Sequence, residues 1–185
     1  MANAFALNMA QPFNRASQAS VTLAATLKAL YPAAAAPIAV QYFVDTGDAW
    51  RIEIFGQITT AATPGNIVAS ILYGTGADAN GVTLASSAAL ALTASQTALS
   101  FYAQLDIECR SVGNTGTLFA TGMVQFNNAV VASTLQPIMI PASTPVVSAA
   151  CDLTSTILFP NLQFSRSGST AETSIVHKVR YIKLN

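Results

Sequence analysis

Between Leu99 and Arg110 the chain alternates: Leu99, Phe101, Ala103, Leu105, Ile107 and Cys109 fall on one side, and Tyr102, Gln104, Asp106, Glu108 and Arg110 on the other. Successive side chains of a strand point to opposite faces, whereas a helix scatters these two sets around its circumference. The segment is therefore read as a strand with one core face and one non-core face. Such a strand needs a sheet to pair with and a second layer to bury its apolar side.

The same period places Trp50, Ile52, Ile54 and Ile58 inward and Arg51, Glu53 and Gln57 outward. Gly47-Asp48 before this strand and Thr63-Pro64-Gly65-Asn66 after it are turn chemistry. Ile67 to Tyr73 follows, rich in β-branched and aromatic residues, so Trp50 to Tyr73 is expected to form two adjacent antiparallel strands. Ser111-Val112-Gly113-Asn114-Thr115-Gly116 signals a second hairpin, joining the long alternating strand to Thr117–Phe126. Further strands are expected at Val21–Leu27, Ile38–Val44, Ala88–Leu92, Leu135–Ile140, Thr156–Ser165 and Ser174–Leu184.

Roughly nine or ten short strands without an amphipathic helix predict an all-β fold, an antiparallel β-sandwich or a jelly roll, and not a layered α/β fold. Within the Ala-rich stretch Ala24 to Ala36, Pro32 and Pro37 limit any helix to about two turns. A chain of 185 residues suffices for one well-cored domain, expected over residues 20–185. Residues 1–19 are expected to form an irregular N-terminal arm. Its large apolar residues, Phe5, Leu7, Met9 and Phe13, either dock on a neighbouring subunit or tuck under their own domain, and they are the candidate partner-binding residues.

Only 9 % of the chain is charged while 52 % is apolar, so the surface must be unusually uncharged. A spanning helix is not expected, because no run approaches the roughly 18 to 20 consecutive apolar residues required. Met1-Ala2-Asn3-Ala4-Phe5 lacks the basic region of a secretory signal, which argues against an outer-membrane barrel. Cover by protein partners, including copies of the chain itself, is the better account. Formal net charge is zero, and the basic residues cluster only at His177, Lys178, Arg180 and Lys183, so no nucleic-acid partner is expected. Cys109 and Cys151, the two cysteines, have no CxxC spacing and are read as buried free thiols, although their separation does not forbid a disulfide. That reading fits assembly in a reducing cytoplasm.

No constellation for catalysis stands out. The single histidine, His177, lies in the expected C-terminal strand without GxSxG or HExxH, and a structural role is favoured over a triad. Asp106 and Glu108 share one strand face and could place two carboxylates beside a sugar, as in a depolymerase, or beside a cation, but Arg110 beside them makes a surface charge pair the simpler account. Asp78-Ala79-Asn80-Gly81 lacks the remaining ligands of a calcium loop and is read as a turn. Gly74-Thr75-Gly76 lacks the Gly-Lys-Ser/Thr of a phosphate loop. No metal, no cofactor and no enzymatic activity are expected.

The order Gly47-Asp48-Ala49-Trp50-Arg51-Ile52, a Pro-Gly turn, a strand ending in Gly74, and then Phe101 to Thr117 resembles small virion accessory proteins of tailed bacteriophages. The resemblance continues through Asp152-Leu153-Thr154, Gly168 to Thr173 and Lys183-Leu184-Asn185, covering about residues 45–185, while the Ala-rich lead-in departs from the pattern. It implies a β-sandwich, often jelly-roll-like, acting as a capsid decoration (cement) protein, commonly a homotrimer on the outer capsid surface and bound to the major capsid protein. Head fibres and tail structures carry similar domains, and a tail or fibre component binding a host-surface glycan is the alternative. Tyr42, Tyr73, Tyr102 and Tyr181 are the aromatics available to it. No functional residues carry over, because the likeness concerns a scaffold.

Overall fold

The computed structural model describes residues 11–13, 19–31, 42–127, 137–144, 147–168 and 172–185. Of the expected arm residues, Phe5, Leu7 and Met9 lie outside this set, as do most of the strand expected at 38–44 and the first two residues of that at 135–140. The described strands are β1 (Gln11–Phe13), β2 (Val21–Thr22), β3 (Lys28–Ala29), β4 (Ala49–Thr59), β5 (Asn66–Gly74), β6 (Val82–Ser86), β7 (Leu90–Ala91), β8 (Leu99–Ser111), β9 (Thr117–Phe126), β10 (Ile138–Ile140), β11 (Phe159–Arg166) and β12 (Thr173–Lys183). No helix occurs among the described residues.

The strands form two antiparallel sheets packed face to face. The larger has the order β1-β12-β4-β8-β9-β10, with β2 also beside β12; the smaller has the order β3-β11-β5-β6, with β7 beside β5. β1 and β2 share one edge of β12, opposite Val179–Tyr181 and Thr173–Ser174 respectively. Within residues 1–19, expected to be irregular, Gln11–Phe13 thus form a short strand. The chain passes between sheets on going from β2 to β3, β3 to β4, β4 to β5, β7 to β8, β10 to β11 and β11 to β12. That repeated crossing, with each returning strand inserted beside an early one, is the double Greek key of a jelly roll.

Two expectations need correction. β4 and β5 do not pair: β4 lies between β12 and β8, and β5 lies between β11 and β6. The connection at residues 60–65 is held by other loops instead of closing a hairpin. Thr60 Oγ1 donates to the Thr93 carbonyl at 2.6 Å and accepts from the Gln96 amide at 2.9 Å, while the Gly65 amide reaches Glu172 Oε1 at 3.2 Å. Similarly, the strand expected at Val21–Leu27 ends at Thr22, and β3 begins only at Lys28, because Leu23 N donates to Glu172 O and Ala24 O accepts from Arg166 N, drawing the chain from one sheet to the other. β6 is not among the expected strands. The hairpin across Ser111–Gly116 is present, with Phe101 opposite Phe126 and Cys109 opposite Leu118.

One core fills the space between the sheets. Ile52, Ile54 and Ile58 of β4 and Ala103, Leu105 and Cys109 of β8 are fully buried from one side, and Ile71, Leu162 and Phe164 from the other. Each fully buried aliphatic or aromatic side chain contributes about 1.5–3 kcal/mol before ordering is counted. The inward phase of β12 shifts midway, from Ser174 and Val176 to Val179 and Tyr181, because the pairing with β4 skips His177. One inserted residue reverses the side-chain alternation, so this bulge lets β12 keep a buried face on both sides of it.

The outer face of the smaller sheet is also closed. Ser70, Leu72, Asn161 and Gln163 are all buried. The Gln163 amide donates to Ala77 O at 2.9 Å and to Asn161 Oδ1 at 3.0 Å, and its oxygen accepts from Ala79 N at 2.9 Å. The β5–β6 loop therefore lies on Gln163, while Ser70 pairs with Ser86 at 2.8 Å and Asn161 donates to the Phe159 carbonyl at 3.2 Å, the satisfaction that burial requires. Solvent-facing sheet surface is left mainly on the larger sheet.

Candidate interaction surface

The outward side chains of the larger sheet form a grid set by strand register. Lys178, Phe55, Tyr102 and Gln125 stand opposite one another in a row across β12, β4, β8 and β9. Two residues along lies the row Arg180, Glu53, Gln104, Met123 and Met139, and beyond it Ile182, Arg51, Asp106 and Thr121. Glu108 faces Phe119 in the next row. Because directly opposite side chains on neighbouring strands are the pairs that interact, each row acts as a unit.

Seven of the sixteen charged residues stand on this face, and most are neutralised in place. Arg51 grips Asp106 with two bonds of 2.7 and 2.8 Å, Arg180 meets Glu53 at 2.9 Å, and Arg110 meets Glu108 at 3.3 Å. The bond from Asp106 is the main reason the Arg51 pKa is raised. Arg110 also stacks 4.8 Å above the Phe119 ring. Lys178 is different: its ammonium lies 5.9 Å from the Phe55 ring centre and has no carboxylate in bridging distance among the described residues.

Phe55 and Tyr102 are in contact, with ring centres 4.8 Å apart and planes tilted by 43°. Phe55 keeps 40 % of its surface exposed. The Tyr102 hydroxyl donates to Gln104 Oε1 at 3.3 Å, and its pKa is raised, first by burial and then by the Glu53 charge. A shallow cleft of about 380 Å³ adjoins this pair, with Phe101 and Phe126 in its lining and Ser100, Gln125 and Asn127 as its polar members.

A second feature lies at the end of the sandwich where β4 begins and β8 and β12 finish. Val44, Val112 and Leu184 are 54 %, 45 % and 46 % exposed there. The backbone beneath them is fixed. Asp48 Oδ2 accepts from the amides of Val44 at 2.8 Å and Asp45 at 3.0 Å, and Asp48 Oδ1 pairs with Lys183 at 2.9 Å. Asn185 Oδ1 accepts from Ala49 N at 2.9 Å. Burial alone pushes the Asp48 carboxyl up, but the Asp45 and Val44 amides and the Lys183 ammonium outweigh it and hold the group below its ordinary value.

A depressed carboxyl stabilises the fold above its unfolded pKa of about 3.9, and that contribution disappears as pH falls through the folded pKa. Urea unfolding midpoints are therefore expected to be level from pH 7 to about 5 and to drop below about 4. Asp48→Asn keeps the acceptor but not the charge, so its acid limb is expected to be shallower than that of the parent. Parallel limbs would show that Asp48 plays no part.

The residues singled out in the sequence are dispersed. Phe13 lies in β1 opposite Val179, while Phe5, Leu7 and Met9 are outside the described residues. Tyr42, Tyr73 and Tyr181 are buried, leaving Tyr102 as the only surface member of that set. Asp106 and Glu108 are engaged by separate arginines. Cys109 and Cys151 are buried free thiols, both with pKa raised chiefly by burial. Among the described residues no group of three or more His, Cys, Asp or Glu is placed to hold a metal ion. Phe55, Lys178 and Gln125 were not anticipated together; Phe55 is out of phase with Ile52, Ile54 and Ile58, which signals its outward face, but the row across four strands depends on register. The chain matches no protein-family model, and a comparison with curated proteins found no similar sequence.

Proposed function

We propose that this protein is a tailed-phage capsid decoration protein. It assembles in the host cytoplasm into a homotrimer, seats on the outer capsid surface against the major capsid protein, and strengthens joints between capsid subunits. The observation carrying this reading is the partly apolar end of the jelly roll, where Val44, Val112 and Leu184 stand exposed on a backbone fixed by Asp48, Lys183 and Asn185. The order of elements from Gly47 to Asn185, which resembles virion accessory proteins, supports it as well. A standard interface of about 1,600 Å² is reached by a few such contacts repeated around a symmetry axis.

The test mixes purified protein with capsids assembled without it, after its mass in solution is measured by light scattering. A trimer that co-sediments with capsids is expected. Val44→Asp combined with Val112→Asp is expected to reduce capsid occupancy at least tenfold, because each aspartate would be buried without a partner, while both sites are exposed enough to leave folding intact. A monomer that leaves capsids bare would refute the reading.

A further inference from the structure

We propose that the row Lys178, Phe55, Tyr102 and Gln125 is a binding site for an acidic saccharide, one bearing a carboxylate on a pyranose ring. The site stands on the outer face of the larger sheet and does not depend on how the molecule seats on a capsid.

Shape comes first. Neighbouring strands are about 4.8 Å apart, so four side chains in register span about 14 Å, enough for two linked pyranose rings. The adjoining cleft of about 380 Å³ is of ligand size yet shallow, suiting a chain laid across a surface. Its apolar members are aromatic. Phe55 and Tyr102, 4.8 Å apart and mutually tilted, offer two ring faces at different angles. A pyranose presents a patch of C–H groups on one side, which packs on such a ring, and a rim of hydroxyls that needs polar partners.

Those partners are present at the opposite end of the row. Gln125 is exposed, and its amide makes no hydrogen bond among the described residues, so both a donor and an acceptor remain available. Ser100 adds an exposed hydroxyl at the same cleft. Neutral groups beside aromatic rings fit a saccharide better than a peptide, which would draw on an open strand edge for its backbone bonds.

Charge then narrows the class. The other basic residues of this face, Arg51, Arg110 and Arg180, each meet a carboxylate. Among the described residues, Lys178 meets the Phe55 ring and no carboxylate. One uncompensated ammonium at the end of an aromatic platform selects a single negative group on the ligand, whereas a nucleic acid needs several cations in a line.

The experiment uses the intact protein, with tetragalacturonate as the acidic probe and maltotetraose as the neutral one, followed by saturation-transfer NMR and titration of the Tyr102 ring signals. Binding of the acidic probe, weakened about tenfold by Phe55→Ala with an unchanged melting temperature, is expected. Lys178→Gln is expected to lower affinity for tetragalacturonate about two- to fivefold and to leave maltotetraose unaffected. Failure of both probes to bind, binding indifferent to Phe55→Ala, or equal affinity for both probes would each overturn the proposal. None of these results bears on capsid binding, which is measured without saccharide.

Discussion

Glu172→Ala is expected to lower stability by about 3–5 kcal/mol, read as a shift of the urea midpoint, because it removes one half of a buried ion pair. The Glu172 side chain is fully buried and Arg166 nearly so, with Arg166 Nε 2.9 Å from the carboxylate. The carboxylate also receives the Gly65 amide at 3.2 Å, and Arg166 Nε lies 2.9 Å from the Leu23 carbonyl. Around the pair, Leu23 N binds Glu172 O, Arg166 N binds Ala24 O, and Ser167 N binds Asn66 O, each at 2.8 Å. Three sheet-to-sheet crossings, β2 to β3, β4 to β5 and β11 to β12, therefore meet at one charge pair. Without Glu172 the Arg166 charge remains in a site nearly closed to water. Arg166→Met combined with Glu172→Leu is expected to restore most of the loss, since an apolar pair of similar volume avoids the buried charge. A single-variant effect under 1 kcal/mol would mean that the pair is not what holds the crossings.

That pair marks the limit of what periodicity makes legible. The inward and outward faces of β4 and β8 follow from alternation, and burial agrees residue by residue from Phe101 to Cys109. The β8–β9 hairpin is legible too, because Gly113-Asn114 supplies a tight turn between long alternating runs. The partner of β4 is not. Thr63-Pro64-Gly65-Asn66 carries the same turn signals, yet Gly65 packs so closely on Ser167 that an added Cβ would collide with its carbonyl, and the chain crosses to the other sheet. Nothing near residue 65 announces a partner a hundred residues away. The outward row of Phe55, Tyr102 and Gln125 is half-legible in the same sense: each position's face follows from period two, and their alignment requires the register of three strands.

Register also explains how a chain with so few charges places seven on one face. Arg51 opposite Asp106 and Arg180 opposite Glu53 are directly facing cross-strand pairs, and with Arg110 beside Glu108 they cancel six of the seven charges. Exposed pairs of this kind contribute only about 0–1 kcal/mol each to stability. Their larger effect is on selectivity: once they are paired, the field of the face is left to Lys178. The second sheet solves the same problem differently, by burying amides that bond to one another and to the β5–β6 loop.

Gly56 and Phe101 are expected to be energetically coupled by at least 1 kcal/mol. They face each other across β4 and β8, and a Cβ on Gly56 would lie 2.5 Å from Phe101 Cε1 and 2.7 Å from the Ile175 carbonyl oxygen. The missing side chain is the space into which the Phe101 ring fits. From there the ring reaches Phe126 at 5.8 Å and Phe164 at 5.5 Å, linking the two sheets. A glycine inside a strand is unfavourable by roughly 0.5–1 kcal/mol, and close approach by a neighbour is the usual reason for one. Gly56→Ala is expected to destabilise by about 1–3 kcal/mol through overpacking, and Phe101→Ala by about 3–5 kcal/mol through the cavity it leaves. In the double variant the new methyl group enters space vacated by the ring, so the combined loss should fall short of the sum, with the Ile175 carbonyl limiting the relief. Chemical denaturation of the four proteins gives the cycle directly. Additivity within 0.5 kcal/mol would show that the ring yields without strain and that Gly56 is required only by the Ile175 backbone.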